Sequence, residues 1–267
     1  MIEVKHYISA KTIDEAYEIL LTNKSATILG GGAFIKMGNK KINTLIDLSK
    51  CDMNRIEETE DEVQIGAMVT FGEIENSPIL KNCFNEMLSS AVNQILGVQF
   101  RNIVTIGATI YSRYGFSDLI TGLLALDTDV ELYKGGRIPL DKFLKEGPKE
   151  IDILKNIFIR KNNRRAAFYA MRNSKGDYAI LNTAVSKMGK KVKIAVGARP
   201  GRAVLAENAM IYFENNDISK ESLSEGIDIL VNEINFGSNT RGSEAYRRKI
   251  CGVLVKRALE EVSMNEA

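Results

Sequence analysis

The amino-terminal third alternates short apolar runs with one amphipathic stretch. Met1 to Tyr7 reads as a strand. Ile13, Ala16, Tyr17, Leu20 and Leu21 recur at helical intervals, behind Thr12 and Glu15 at capping-box spacing, so a helix is predicted there. Ala26 to Leu29 predicts a second strand, running straight into Gly30, Gly31 and Gly32, and Asn43 to Leu48 a third. Val63, Ile65 and Ala67 alternate with Gln64, Gly66 and Met68, a weak period-2 pattern for a further strand that leads into a turn and a helix start. Pro78 opens or precedes a helical region running to Ile95. Ser117 to Leu126 is apolar enough for a buried helix, and Asp129 to Tyr133 predicts a strand ending at Gly135 and Gly136.

Arg160, Lys161, Arg164 and Arg165 mark a change of composition and a boundary between an earlier body and a carboxy-terminal part. Beyond it, Ala167 to Met171 reads as extended. Asp177 to Met188 reads as a helix with Ala179, Ile180, Ala184 and Val185 available for packing. Lys191 to Gly197 alternates, placing Val192, Ile194 and Val196 on one sheet face. Ser243 to Val262 is a final helix with Tyr246, Ile250, Val253 and Leu254 on its apolar side. A small sheet backed by helices is the expected result.

Length and composition narrow the function classes. A chain of 267 residues buries a substantial core as one compact body or two domains. The net charge of +2, without an arginine-rich block interleaved with aromatics, gives no sign of nucleic-acid binding. Glu3 and Lys5 interrupt the start where a secretory signal needs an apolar stretch, and no long apolar run follows, so neither export nor membrane insertion is expected and the cytoplasm is. Cys51, Cys83 and Cys251 make no CxxC pair, iron–sulfur spacing or disulfide framework, which suits unpaired thiols in a reducing compartment. His6 is the only histidine, so no Ser/His/Asp or Cys/His set supports covalent catalysis. No catalytic side chain and no metal ligand set is assigned.

The chemistry concentrates in two loops. Three glycines after a strand make either a tight turn or a run of bare amides that can cradle a phosphate. The run is neither GxGxxG nor a P-loop, because the Gly-Lys-Ser/Thr ending is missing. The second loop, QFRNIVTIGATI from Gln99 to Ile110, offers Arg101 as a charged fork, Asn102 and Thr105 as short polar groups, and Gly107 for close backbone approach. Two such loops in separate α/β pieces point to a dinucleotide pyrophosphate.

The stretches ILGGGAFIKMG, NTLIDLS, VQIGAMVTFGEI, QFRNIVTIGATI, SDLITGLLALDTDVEL, GDYAILNTAVS, VGARPGRA and SEAYRRKICGVLVKRAL span nearly the whole chain in order. In that order they resemble the flavin-binding medium subunit of the molybdenum hydroxylases, the family that includes xanthine dehydrogenase and carbon monoxide dehydrogenase. The resemblance implies an α+β fold: a bipartite FAD-binding domain over residues 1–160, with α/β subdomains at about 1–55 and 56–160, then a smaller domain over 161–267 with an antiparallel sheet and helices. It implies that both loops wrap the FAD pyrophosphate. Gly30, Gly31, Gly32 and Ala33, flanked by Leu29 and Phe34, would form one half; Thr105, Ile106, Gly107, Ala108 and Thr109, behind Arg101 and Asn102, would form the other. Ala33 stands where the family often has a hydroxyl, Ala108 where a second glycine is usual, and Thr109 where asparagine is usual. Weakened FAD binding through retained backbone donors is the expectation.

By the same resemblance Asp118 approaches the sugar and adenine portion of FAD, unless it only caps the helix beginning near Ser117. Arg113 and Tyr114 would cover the flavin or meet another subunit. Asp177 would be a helix cap or a cofactor neighbour with Tyr178, and Lys193, Arg199 and Arg172 would lie towards the isoalloxazine. The implied activity is electron transfer from the iron–sulfur clusters of a partner to FAD and on to NAD+ or another acceptor. Molybdopterin and the clusters would belong to partner subunits. Two alternatives stay open: a stand-alone FAD-dependent reductase, and a degenerate structural subunit that no longer binds FAD.

Overall fold

The chain's structure, a computed structural model, describes residues 2–264. Met1 of the expected first strand and residues 265–267 of the expected last domain lie outside them. The first layer is a parallel three-stranded sheet in the order β1–β3–β2, built from β1 (Glu3–Ser9), β2 (Ala26–Leu29) and β3 (Lys41–Asp47). Helix α1 (Ile13–Thr22) starts where the hydroxyl predicts: Thr12 Oγ1 accepts the Glu15 N–H at 3.2 Å. The Glu15 carboxylate reaches Lys11 N–H at 2.8 Å, one residue earlier than a full capping box. Ala16 and Leu20 pack with Ile46, Leu48 and Ile153 in a small core.

A second layer follows. After β4 (Ile56–Glu58) and β5 (Glu62–Gly66) come five short helices: α2 (Phe71–Asn76), α3 (Pro78–Lys81), α4 (Met87–Asn93), α5 (Val98–Arg101) and α6 (Ile106–Tyr111). The helix expected from Pro78 to Ile95 is broken, because Phe84, Asn85 and Glu86 take left-handed φ values of 54°, 54° and 57°. Helix α7 (Asp118–Leu124) is buried along its whole length. β6 (Thr128–Leu132), β7 (Gly136–Pro139), α8 (Leu140–Glu146) and β8 (Leu154–Arg160) complete an antiparallel five-stranded sheet in the order β4–β5–β8–β6–β7. Val63, Ile65 and Ala67 all point into its core, as their alternation predicts.

The carboxy-terminal layer is an antiparallel sheet ordered β12–β11–β10–β9, from β9 (Arg165–Arg172), β10 (Ala179–Met188), β11 (Lys191–Gly197) and β12 (Val204–Leu205). It is followed by α9 (Glu207–Asn215), α10 (Lys220–Glu233) and α11 (Glu244–Ser263). The helix expected over Asp177 to Met188 is therefore corrected to strand β10. Both faces of that strand are covered. Leu181 and Val185 join the core under α11, while Ala184 faces the core of the second layer. A strand buried on both sides loses its polar alternation, and the sequence pattern then no longer separates it from a buried helix.

Helix α11 is where predicted, but its buried stripe is Arg247, Cys251, Leu254, Val255, Ala258, Leu259 and Val262. Of the expected apolar side only Leu254 is buried; Tyr246 and Val253 are 42% and 39% exposed. Arg247 misled the pattern by taking a core position. The residue is 1% exposed, and its guanidinium donates to Ile180 O at 2.8 Å, Gly237 O at 2.7 Å, Gly242 O at 2.5 Å and Asn239 Oδ1 at 2.6 Å. Among the described residues no helix is long and apolar enough to cross a membrane.

Candidate functional site

Strand β2 ends at the carboxyl edge of the parallel sheet, and the chain leaves it as Gly30–Phe34. Gly32 turns with φ +75°, a left-handed value that favours glycine. Gly31 is required for a different reason: a Cβ there would fall onto the carbonyl oxygen of Ile103, backbone of the second loop. A Cβ at Gly30 would come within 2.5 Å of Thr105 Oγ1 and 2.8 Å of Ala108 Cβ. The bare glycines thus let the first loop lie directly on the second. Among the described residues the backbone N–H groups of Gly31, Gly32, Ala33 and Phe34 have no acceptor.

The second loop is stitched to residues 67–71. Phe71 N–H donates to Val104 O at 2.9 Å, Ile106 N–H to Val69 O at 2.9 Å and Gly107 N–H to Ala67 O at 2.8 Å. A Cβ at Gly107 would stand 2.5 Å from the Ala67 methyl, so the fit demands glycine. Thr105 is buried to 2% exposure, and its hydroxyl has no hydrogen-bond partner. The Ala108 N–H is also without an acceptor among the described residues. An unpartnered buried hydroxyl costs roughly 1–3 kcal/mol, so an orphan beside a row of free amides marks a place where a ligand completes the pairing. Thr109 is not part of that row, because its Oγ1 donates to Thr105 O at 2.9 Å.

Two cavities open on this junction. The first, of about 440 Å³, is walled by both loops and by Ala26, Ile28, Met68, Ile153, Tyr111 and Asp152. Asp152 is held by the N–H groups of Gly135 and Ile153, each at 2.7 Å. The second, of about 250 Å³, is lined by Phe34, Phe71, Phe100, Tyr114, Phe116 and Tyr178. The two share Phe34, Val104, Thr109 and Tyr114. A strip of anion donors along the first cavity, with an aromatic compartment adjoining it at Phe34 and Tyr114, fits a diphosphate carrying a ring system at each end.

The carboxy-terminal sheet closes the second cavity. Arg172 donates to Asp118 Oδ2 at 2.5 Å, and Asn182 Nδ2 to Asp118 Oδ1 at 2.6 Å. Burial pushes the Asp118 carboxyl above its ordinary value, against the pull of Arg172 and Asn182. Asp118 does not cap α7; Ser117 Oγ does, accepting the Ile120 N–H at 3.2 Å. Asp177 caps no helix either. It accepts from Arg241 Nε at 2.9 Å, and Arg241 lies 5.1 Å from the Tyr178 ring centroid.

The structure brings the residues of the two loops together and places several of their flanking residues elsewhere. Gly30, Gly31, Gly32, Ala33, Phe34, Thr105, Gly107, Ala108 and Thr109 line the first cavity, and Asp118, Arg172, Asp177 and Tyr178 the second. Leu29 and Ile106 stand behind the loops, and Ile106 is wholly buried in the core. Arg101 is not at the cleft. Its Nε donates to Glu75 Oε2 at 2.7 Å and its Nη1 to Ile95 O at 2.6 Å, so the fork braces α5 against α2. Asn102 is exposed and lines neither cavity. Lys193 pairs with Asp127 at 2.6 Å, and Arg199 donates to the carbonyls of Arg202 and Asn235, both away from the cavities. Tyr111, Asp152, Phe71, Phe100 and Phe116 carry no local signal of a site; Phe34, Tyr114 and Tyr178 do, and only the fold gathers these aromatics into one cavity.

Residues 2–161 match the family described as the FAD binding domain in molybdopterin dehydrogenase, and residues 166–262 match the CO dehydrogenase flavoprotein C-terminal domain. The chain is 25% identical over 272 residues to the nicotine 6-hydroxylase medium subunit of Paenarthrobacter nicotinovorans, with 96% of each chain covered. It is 27% identical over 281 residues to the glyceraldehyde dehydrogenase medium chain of Sulfolobus acidocaldarius, covering 96% of this chain and 98% of that one. A chain of the carbon monoxide dehydrogenase from Hydrogenophaga pseudoflava has the same fold, with a TM-score of 0.87 at 25% identity over 96% of both chains. This protein therefore belongs to the family of the FAD-binding domain of molybdopterin dehydrogenases, with the CO dehydrogenase flavoprotein domain following it in the same chain.

Proposed function

We propose that this chain is the flavoprotein oxidoreductase subunit of a heteromeric molybdenum hydroxylase in the cytoplasm. It would work beside a molybdenum-cofactor subunit and a subunit with two iron–sulfur clusters, with NAD+ as the final acceptor. The observation that carries the reading is the strip of donors along the first cavity that have no partner among the described residues: four consecutive amides from Gly31 to Phe34, the Ala108 amide and the orphan Thr105 hydroxyl. Relatives of matching length are named as medium subunits of nicotine and glyceraldehyde enzymes, which supports a subunit role.

FAD, when bound, would supply the capacity to take electrons singly and release them as a pair. The chain's own part is to hold and shield it. Gly31 to Phe34, Thr105 and Ala108 would bind the pyrophosphate, with Leu29 and Ile106 fixing the two loops from behind. The first cavity would take the adenosine side and the aromatic second cavity the isoalloxazine, with Asp118 and Arg172 at its inner wall. Residues 1–160 would form the FAD-binding domain, in subdomains of about 1–55 and 56–160, and residues 161–267 the closing domain. No nucleophile is needed from this chain.

The test is gentle isolation of the native assembly, extraction of its cofactors and identification of every co-purifying chain. One FAD per copy of this chain, with molybdenum and iron–sulfur polypeptides alongside, is expected. A colourless assembly that takes up no added FAD would overturn the reading, and flavin without partners would favour the stand-alone reductase.

A further inference from the structure

The two cavities meet at a wall made of two rings. Phe34 and Tyr114 line both of them, with centroids 4.7 Å apart and planes inclined by 50°. Tyr114 is stacked in turn on Phe116, at 5.0 Å and 20°, and Phe34 also touches Phe116 at 5.7 Å and Phe100 at 5.9 Å. The rest of the shared lining, Val104 and Thr109, is buried.

The loop that carries Tyr114 is fixed while its ring is not. Arg113 sits at φ 50°, Gly115 is wedged so closely on the Gly201 carbonyl that a Cβ would overlap it, and Gly115 O accepts the Ala198 N–H at 2.9 Å. Among the described residues no hydrogen bond holds the Tyr114 hydroxyl. Ring contacts alone keep the side chain across the passage. A molecule confined to the first cavity meets the ring only as part of its wall; a molecule continuous through both must displace it.

We infer that Tyr114 is a gate, whose ring swings off Phe34 to admit the second ring system of a bound dinucleotide, while adenosine diphosphate enters the first cavity without moving it. The inference rests on the FAD reading above and adds a kinetic division between the two halves of the site. An aromatic pair is worth roughly 0.5–1.5 kcal/mol beyond its buried area, and Tyr114 must leave two, so the gate slows entry by about tenfold, the factor that 1.4 kcal/mol gives.

The test is stopped-flow association of ADP and of FAD, separately, with the full-length chain freed of flavin. In the wild type FAD should associate about tenfold more slowly than ADP. Tyr114→Ala should raise the FAD rate by about tenfold and leave the ADP rate within about twofold, and Tyr114→Phe, which keeps the ring contacts, should match the wild type. Tyr114→Leu retains apolar burial without the stack and gives the same reading should the alanine variant not fold. Equal wild-type rates for ADP and FAD overturn the gate. So does a Tyr114→Ala or Tyr114→Leu variant with an unchanged FAD rate, or with both rates raised alike. If the wild type binds neither ligand, it is the FAD reading that fails.

Discussion

Gly31→Ala is the sharpest perturbation of the site, because the added methyl meets backbone and not a movable side chain. Ile103 O occupies the place of the new Cβ. Carbon and carbonyl oxygen settle at about 3.3 Å, so the two loops must part by about 2 Å. Overpacking of this kind costs about 1–3 kcal/mol of stability. The effect on binding is larger. Amides that reach a phosphate oxygen at about 2.9 Å are beyond hydrogen-bond range once displaced that far. Losing two such bonds to a charged group, at roughly 1.5 kcal/mol each, raises the FAD dissociation constant by about a hundredfold. Equilibrium titration by flavin fluorescence, with thermal unfolding of the same samples, reads both terms. Gly189→Ala is the control: its φ of +56° strains an alanine, but nothing lies within 4 Å of the new methyl. It should lose about 1–2 kcal/mol of stability and keep full FAD affinity, as should Cys83→Ala. A Gly31→Ala protein that binds FAD within about threefold of wild type would refute the packing of one loop on the other as the basis of the site.

Three further outcomes follow from single groups. Thr105→Val should weaken FAD binding by about tenfold, a loss of about 1.4 kcal/mol, while leaving the flavin-free chain no less stable in thermal melts, because it removes an orphan hydroxyl. Asp118→Asn leaves the Arg172 charge without its carboxylate partner at a largely buried site and should cost about 3–5 kcal/mol in urea unfolding; a loss below about 1 kcal/mol would contradict the buried pair. Burial pushes the Asp127 carboxyl up, but Lys193 and Arg164 outweigh it and hold the group below its ordinary value. Its contribution is therefore present above the unfolded carboxylate pKa of about 3.9 and lost as pH falls through the lower folded value. Asp127→Asn should melt below wild type at pH 7, with the gap closing in acid; a pH-independent gap would show that the pair does not titrate as the geometry requires.

How much was legible follows from what each residue's neighbours in sequence could reveal. The two glycine-bearing loops were readable because their signal is local: a strand, then residues lacking a side chain. That Gly31 faces Ile103 is not local, and only the fold explains why the glycine is needed for loop-on-loop packing. Arg101 looked like an anion fork because sequence shows a free guanidinium, whereas Glu75, twenty-six positions earlier, occupies it. Strand β10 looked helical because sheet and helices cover both of its faces and erase the alternation. Arg247 hid the buried stripe of α11 by sitting in the core with its guanidinium donating to three carbonyls and an amide oxygen. Strand β8, helix α9 and helix α10 were not anticipated at all. The apolar run of β8 ends in the basic cluster at Arg160, whose change of composition reads as a boundary instead.

The central claim is that two loops of this chain grip one diphosphate between an adenosine compartment and an aromatic one. Its most direct measurement is a titration of the flavin-free chain with FAD, followed by displacement with ADP. The account predicts one FAD per chain, competitive displacement by ADP, and both affinities weakened by about a hundredfold in Gly31→Ala. FAD that binds undisturbed by saturating ADP, or no binding of either ligand, would contradict it.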